Sequence, residues 1–89
     1  MEKNTFQITL YGRPGCHLCE QVEQRIRRVA NDFLLNLSIV NIESDPALHE
    51  KYMFTIPVVE IDGEETFPSV TSVMSEEELR EELKKRLNQ

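Results

Sequence analysis

Two cysteines, Cys16 and Cys19, sit where the chain changes from one apolar periodicity to another. The run Phe6-Gln7-Ile8-Thr9-Leu10 reads as a buried strand, and Gly12, Pro14 and Gly15 break it within four residues. Apolar residues return at Leu18, Val22, Ile26, Val29 and Phe33, spaced by four, four, three and four. That spacing predicts a helix from about Cys16 to Phe33, ending near Asn36. Cys16 therefore falls at or just before the first helical turn, with Cys19 one turn further along the same face.

The position has chemical consequences. The first turn of a helix leaves backbone N–H groups without intrahelical partners, and the macrodipole places partial positive charge there. Both favour a thiolate at Cys16, and Arg13 and a protonated His17 add positive charge, while Glu20 opposes them. A lowered pKa makes the thiolate available near neutral pH, and the thiolate is the nucleophile of disulfide exchange. A second thiol three residues on can attack a mixed disulfide at Cys16 and release the product.

Other uses of two cysteines fit less well. Buried structural cysteines need no such spacing and no Pro/Gly turn before them. A structural zinc site wants four ligands, and the chain has two Cys and two His, His17 and His49, at spacings that match no finger. Glu20 stands where a covalent haem motif requires histidine. His49 has no nearby nucleophile or carboxylate motif and is expected at the surface.

Eighty-nine residues suffice for one domain, 1–89, and no composition shift marks a second. The apolar runs are too short to span a membrane, and Met1-Glu2-Lys3-Asn4 begins no apolar leader, so the expectation is a soluble cytoplasmic protein. Charge is uneven: residues 1–31 carry a net +2 and residues 32–89 a net −8. An acidic chain with no basic stripe is a poor nucleic-acid binder, and Arg25, Arg27 and Arg28 are expected on the solvated face of the first helix.

Beyond the first helix, Leu37-Ser38-Ile39-Val40-Asn41-Ile42 predicts a second strand, parallel to the first through a right-handed crossover. Asp45-Pro46 opens a two-turn helix reaching Tyr52, with Leu48 and Tyr52 on one face, and Thr55-Ile56-Pro57 stops it. Pro57-Val58-Val59-Glu60-Ile61 is a strand, Asp62-Gly63 a hairpin turn, and Glu64-Glu65-Thr66-Phe67 the returning strand. Ser75 and Glu78 form a capping box for a last helix with Leu79, Leu83 and Leu87 on its apolar face. Glu76/Arg80, Glu81/Lys85 and Glu82/Arg86 are spaced for ion pairs along it.

The element order βαβαββα, with Gly12-Arg13-Pro14-Gly15-Cys16-His17-Leu18-Cys19 after the first strand and Thr55-Ile56-Pro57-Val58 before the third, resembles the glutaredoxin and thioredoxin superfamily. It is most similar to short bacterial glutaredoxin-like proteins, from Thr5 to Leu87. The resemblance implies an α/β fold: a four-stranded mixed sheet of order 2-1-3-4, with the first and third helices on one face and the second on the other. It implies a dithiol–disulfide oxidoreductase with Cys16 attacking and Cys19 resolving. Arg13, His17, Ile56 and a cis Pro57 would meet the substrate, with the Ile56 backbone open to an extended chain.

No bound cofactor is expected beyond the dithiol, and the partners implied are a protein disulfide and a thiol or reductase donor, with the protein a monomer that binds neither nucleic acid nor membrane. Two departures argue against glutathione as partner. The intervening pair is His17-Leu18 rather than Pro-Tyr, and Phe67-Pro68-Ser69-Val70-Thr71-Ser72 replaces the Gly-Gly turn and Asp of glutathione-binding relatives. Two alternatives stay open: a redox-inactive thioredoxin-fold binding module, and a metal or iron–sulfur carrier that uses the C-x-x-C.

Overall fold

A computed structural model describes residues 5–70 and 72–88; Thr71, within the loop expected after the fourth strand, lies outside them. Four strands, β1 (Phe6–Gly12), β2 (Leu35–Asn41), β3 (Val58–Ile61) and β4 (Glu64–Phe67), form a sheet of order β2-β1-β3-β4. β1 pairs parallel with β2 and antiparallel with β3, and β3 pairs antiparallel with β4. The helices are α1 (His17–Val29), α2 (Pro46–Tyr52) and α3 (Glu76–Leu87). The fold class and strand order are those expected.

β1 is central, so both of its faces are covered. Phe6, Ile8 and Leu10 alternate toward one side, where they meet Val22, Ile26 and Val29 of α1, Leu79 and Leu83 of α3, and Val59 and Ile61 of β3. The other face carries a smaller core of Ile42, Tyr52 and Val58, flanked by Tyr11, Leu48 and Ile56. α1 and α3 thus share one layer and α2 covers the other. Leu79 and Leu83 are fully buried, each contributing about 1.5–3 kcal/mol of burial to the docking of α3.

Charged contacts then orient that helix pair. Arg25 Nη1 donates to the Met74 carbonyl at 2.8 Å, Arg28 pairs with Glu76 at 2.8 Å, and Arg80 reaches Asp32 at 2.6 Å and Glu76 at 3.1 Å. Arg25 and Arg28 are therefore ties between α1 and α3 rather than a bare solvated face; Arg27 does lie outward, paired with Glu23. Surface pairs contribute about 0–1 kcal/mol each, so the leucines hold α3 and the arginines set its register.

Element ends depart from expectation for local reasons. α1 stops at Val29 because Asn31 and Asp32 tighten the chain, donating to the Arg28 and Val29 carbonyls three residues back. Phe33 still packs against the core from outside the helix. Leu18 is 48% exposed, and the buried stripe begins at Cys19 instead, continuing through Val22, Ile26 and Val29. β2 starts at Leu35 and yields at Ile42 to a short 3-10 turn, Ile42–Ser44, capped by the Asn41 side chain. In the β3–β4 hairpin Asp62 and Gly63 both have positive φ, 52° and 84°, as a two-residue turn of primed type requires. Along α3 the Glu76/Arg80 and Glu82/Arg86 pairs form, but Lys85 reaches Glu82 rather than Glu81. His49 is half-buried rather than exposed.

Candidate active site

The junction between β1 and α1 is a tight turn. Pro14 and Gly15 occupy its centre, Gly15 at φ 78°, and the Cys16 N–H points back to the Arg13 carbonyl at 3.4 Å. Proline followed by a positive-φ glycine is the arrangement of a type II turn. It delivers Cys16 in extended conformation, φ −90° and ψ 106°, as the N-cap of α1. The Cys16 sulfur accepts the Cys19 N–H at 3.1 Å and the Cys16 carbonyl accepts the Glu20 N–H at 3.1 Å. One of the unpaired donors at the helix start is thereby given to sulfur.

Cys16 and Cys19 are joined as a disulfide, with Cα atoms 5.2 Å apart. Their surroundings differ. Cys16 is half-buried, and Cys19 is 7% exposed within the helix stripe that faces the sheet. One cysteine is partly open to solvent while the other is buried.

Gly12 explains how Cys19 fits. A Cβ placed on Gly12 would lie 2.9 Å from Cys19 Sγ and 3.1 Å from its Cβ. Only a residue without a side chain lets α1 approach β1 this closely. The sequence marked Gly12 as a strand breaker; it is instead the last residue of β1, still paired with Asn41. A glycine ending a strand just before C-x-x-C is the signal for such a close approach.

The register between β1 and β3 places Pro57 beside the end of β1. Tyr11 pairs with Val58, so one residue further Pro57 comes level with Gly12, which faces Cys19. Pro57 is buried and the Ile56–Pro57 bond is cis. Ile56 is half-buried and its N–H donates to the Tyr52 carbonyl at 3.1 Å. Ser69, in the loop after β4, brackets this bond: its N–H donates to the Thr55 carbonyl at 2.9 Å and its hydroxyl to the Pro57 carbonyl at 2.6 Å. Nothing in the sequence singled out Ser69, because its partners are twelve and more residues away.

Arg13 and His17 stand at the exposed rim. His17 Nδ1 lies 3.7 Å from Glu20 Oε1, so the imidazole is beside a carboxylate rather than isolated on the helix end. On the opposite face of the sheet, Tyr11 donates to Glu60 Oε1 at 3.1 Å and stacks at a tilt on Tyr52, ring centroids 4.7 Å apart. Burial first, and the bond to Glu60 second, push the Tyr11 phenol up to about 12, so it stays protonated at neutral pH. It acts there as a hydrogen-bond donor.

A mostly apolar hollow of about 290 Å³ opens beside Cys19, lined by Leu10, Gly12, the turn residues Arg13, Pro14 and Gly15, Glu20, and Ile39, Val40 and Asn41 of β2. A larger hollow, about 690 Å³, runs along α3 beside Phe67 and touches neither cysteine. Among the described residues no group of three or more His, Cys, Asp or Glu side chains converges as a metal site would require.

Comparison with known proteins agrees with this geometry. The Glrx-like family, described as glutaredoxin-like domain (DUF836), matches over residues 7–87. No curated protein matches the chain significantly. The solution NMR structure of protein Ne2328 from Nitrosomonas europaea is similar with a TM-score of 0.69 and 25% identity, over 78% of this chain and 84% of that one. The N21Q mutant thioredoxin from Halobacterium salinarum NRC-1 has a TM-score of 0.69 at 18% identity, over 92% of this chain and 74% of that one, a likeness of fold alone.

Proposed function

The chain belongs to the glutaredoxin-like domain family, and on that premise we propose that Cys16 and Cys19 carry out dithiol exchange with a protein disulfide. A glutaredoxin-like fold with an intact C-x-x-C disulfide is that of a thiol–disulfide oxidoreductase, and its redox group is the dithiol itself. In the reducing direction the Cys16 thiolate attacks one sulfur of the partner disulfide. An S–S bond forms between Cys16 and the partner, and the partner's other sulfur leaves as a thiolate. The Cys19 thiolate then attacks Cys16 Sγ, closing the Cys16–Cys19 disulfide and releasing the partner's second thiolate. Two electrons have passed to the partner, and a dithiol donor returns them to this chain. The observation that carries this reading is the asymmetry of the pair: a half-buried cysteine at the N-cap and a buried one a turn further on.

Arg13, His17, Ile56 and Pro57 are the substrate contacts in this reading. With the Ile56 N–H engaged by Tyr52, an incoming extended chain meets the Ile56 carbonyl. Membership of the family favours a disulfide-bearing protein as the partner. Glutathione is disfavoured because the α3 start that would hold its carboxylate is already filled: Ser75 and Glu78 satisfy each other's N–H groups at 2.9 and 3.0 Å. Two closely spaced cysteines and no others suit a cytoplasmic chain whose dithiol is its working group.

The test compares turnover of one disulfide-bonded protein substrate with a thioredoxin-reductase couple and with a glutathione/glutathione-reductase couple. Turnover with the first and little with the second is expected. Efficient glutathione-driven turnover with thioredoxin reductase inactive would overturn the partner assignment, and no turnover with either would overturn the enzymatic one.

A further inference from the structure

The two edges of the sheet are built differently. β4 is four residues long, exposes Glu64 and Glu65, and meets β3 through a register shift at Val59/Glu60. Shortness, charge and a bulge are the devices that stop an edge from pairing with another chain. β2 lacks all three. It has seven residues, pairs with β1 in unbroken register, and lies in a stretch, residues 33–42, without a charged side chain. Among the described residues its outer row of N–H and C=O groups has no strand neighbour, and Ile39 beside it is 52% exposed.

Two hollows flank β2, one toward each end. The first, about 340 Å³, is walled by Leu35, Asn36 and Leu37, with Arg27 and Ala30 of the α1 side. The second is the hollow beside Cys19, walled by Ile39, Val40 and Asn41, with Arg13 and Glu20 at its rim. A twofold axis at Ser38 relates these residues pairwise across two antiparallel copies of the strand. Leu35 then meets Asn41, Asn36 meets Val40, and Leu37 meets Ile39. The same rotation lays the first hollow of one copy against the second hollow of the other, and brings Arg27 of one copy, which its own Glu23 also holds, toward Glu20 of the other.

We propose that the edge of β2 is an interface with a second copy of this chain, made by antiparallel β2–β2 pairing centred on Ser38. The backbone of another strand is what an open strand edge complements. What selects a second copy over an unrelated strand is reciprocity: the strand's residues, its flanking hollows, and Arg27 with Glu20 are all exchanged by one twofold operation. Opposed side chains share a face in an antiparallel pair, so Leu37 and Ile39 of the two copies form a small apolar row. The absence of charge on β2 lets two chains of net charge −6 approach there. One strand and its flanks make a small interface, at the low end of specific ones, below about 1,200 Å² in total, so the dimer is weak and concentration-dependent. The chemistry of Cys16 and Cys19 is complete in one chain. Pairing covers the hollow beside Cys19, whereas Cys16 does not line it.

The experiment is sedimentation equilibrium of the full chain from micromolar to millimolar concentration. A reversible dimer is expected for the unmodified protein. Ile39→Lys, at an exposed position that folding tolerates, is expected to weaken association by about tenfold or more by setting a charge against Leu37 of the other copy. Arg27→Glu and Glu20→Arg are each expected to weaken it by a few fold, and the double reversal to restore it to within about twofold. With Cys16 and Cys19 both changed to Ser, Ser38→Cys should cross-link the copies on oxidation and Asn36→Cys should not. A protein that stays monomeric at all concentrations, an Ile39→Lys variant that associates undiminished, a double reversal that fails to restore, or cross-linking equal at positions 36 and 38 would each overturn the proposal.

Discussion

At the start of α1 the Cys16 sulfur accepts the Cys19 N–H at 3.1 Å; at the start of α3 the Ser75 hydroxyl accepts the Glu78 N–H at 3.0 Å. Both caps have extended backbone and both serve the third residue of their helix. They differ in what surrounds them. Glu76, Glu77 and Glu78 crowd the first turn of α3, and Glu78 closes the capping box on the Ser75 N–H. In α1 the first three residues are His17, Leu18 and Cys19, and the first acid is Glu20. Three carboxylates therefore crowd the positive end of α3, whereas the first turn of α1 holds one, Glu20, beside the sulfur cap. The same capping geometry holds a hydroxyl in one place and, in the reaction proposed above, the attacking sulfur in the other.

The strongest way to break the comparison is Cys16→Ser, which gives α1 the cap that α3 has. Serine caps well, so folding should survive while exchange falls to the uncatalysed background. Cys19→Ser should keep the first attack and lose the second, accumulating a mixed disulfide at Cys16 that mass spectrometry detects. Measurable turnover in Cys16→Ser would place the nucleophile elsewhere.

Gly12→Ala tests whether the α1 start depends on close approach to the sheet. Its Cβ would fall 2.9 Å from Cys19 Sγ, and such overpacking costs about 1–3 kcal/mol in urea unfolding. Gly15→Ala is the contrast: nothing lies within 4 Å, but φ 78° penalises a side chain by about 1–2 kcal/mol. A neutral Gly12→Ala would mean that helix and strand can separate without cost.

Local signals carried most of the fold. The Asp62-Gly63 turn, the Asp45-Pro46 helix start and the Ser75/Glu78 box depend on residues within three positions of one another, and all three formed as read. The end of α1 was misread because Phe33 keeps its apolar contact after the backbone has left the helix, so periodicity outlasts the element. Leu18 fits the helical spacing yet faces solvent, since Cys19 takes the inward place. Within the site the cysteines were legible from spacing. The roles of Gly12 and Ser69, and the tie of Arg25 to Met74, were not, because each depends on a contact made only when distant segments meet.

A smaller effect sharpens the comparison from the other helix. Ser75→Ala removes half of the capping box and should cost about 1 kcal/mol, read from the urea midpoint. Ser75→Cys, with Cys16 and Cys19 replaced by Ser, installs a thiol in the geometry of Cys16 among three glutamates. Its pKa should lie above that of Cys16 in the reduced protein, which we expect below about 8.5. Thiolate absorbance against pH measures both. Equal values would show that the helix start alone, and not the charge around it, governs the thiol.

The smallest predicted effect is acid sensitivity confined to the α3 start. Glu76 Oε1 accepts from Arg28 at 2.8 Å, and Arg80 donates to Oε2 at 3.1 Å. These hydrogen bonds, Arg28's first and Arg80's second, hold the Glu76 carboxyl below the usual carboxylate range. A carboxyl whose pKa is lower folded than unfolded contributes stability that is present in full above the unfolded value, about 4.3, and is lost as pH falls through the folded value. The tie between α1 and α3 should thus weaken below about pH 4, while the sulfur cap of α1 does not titrate there. The pair lies at the surface, so added salt should shrink the effect. The measurement is the melting temperature of the unmodified protein and of Glu76→Gln against pH, at low and at high salt. The unmodified protein should melt higher at neutral pH and converge on the variant in acid. A gap that stays constant down to pH 3 would mean that the shape of the Glu76 side chain, and not its charge, anchors α3 to α1.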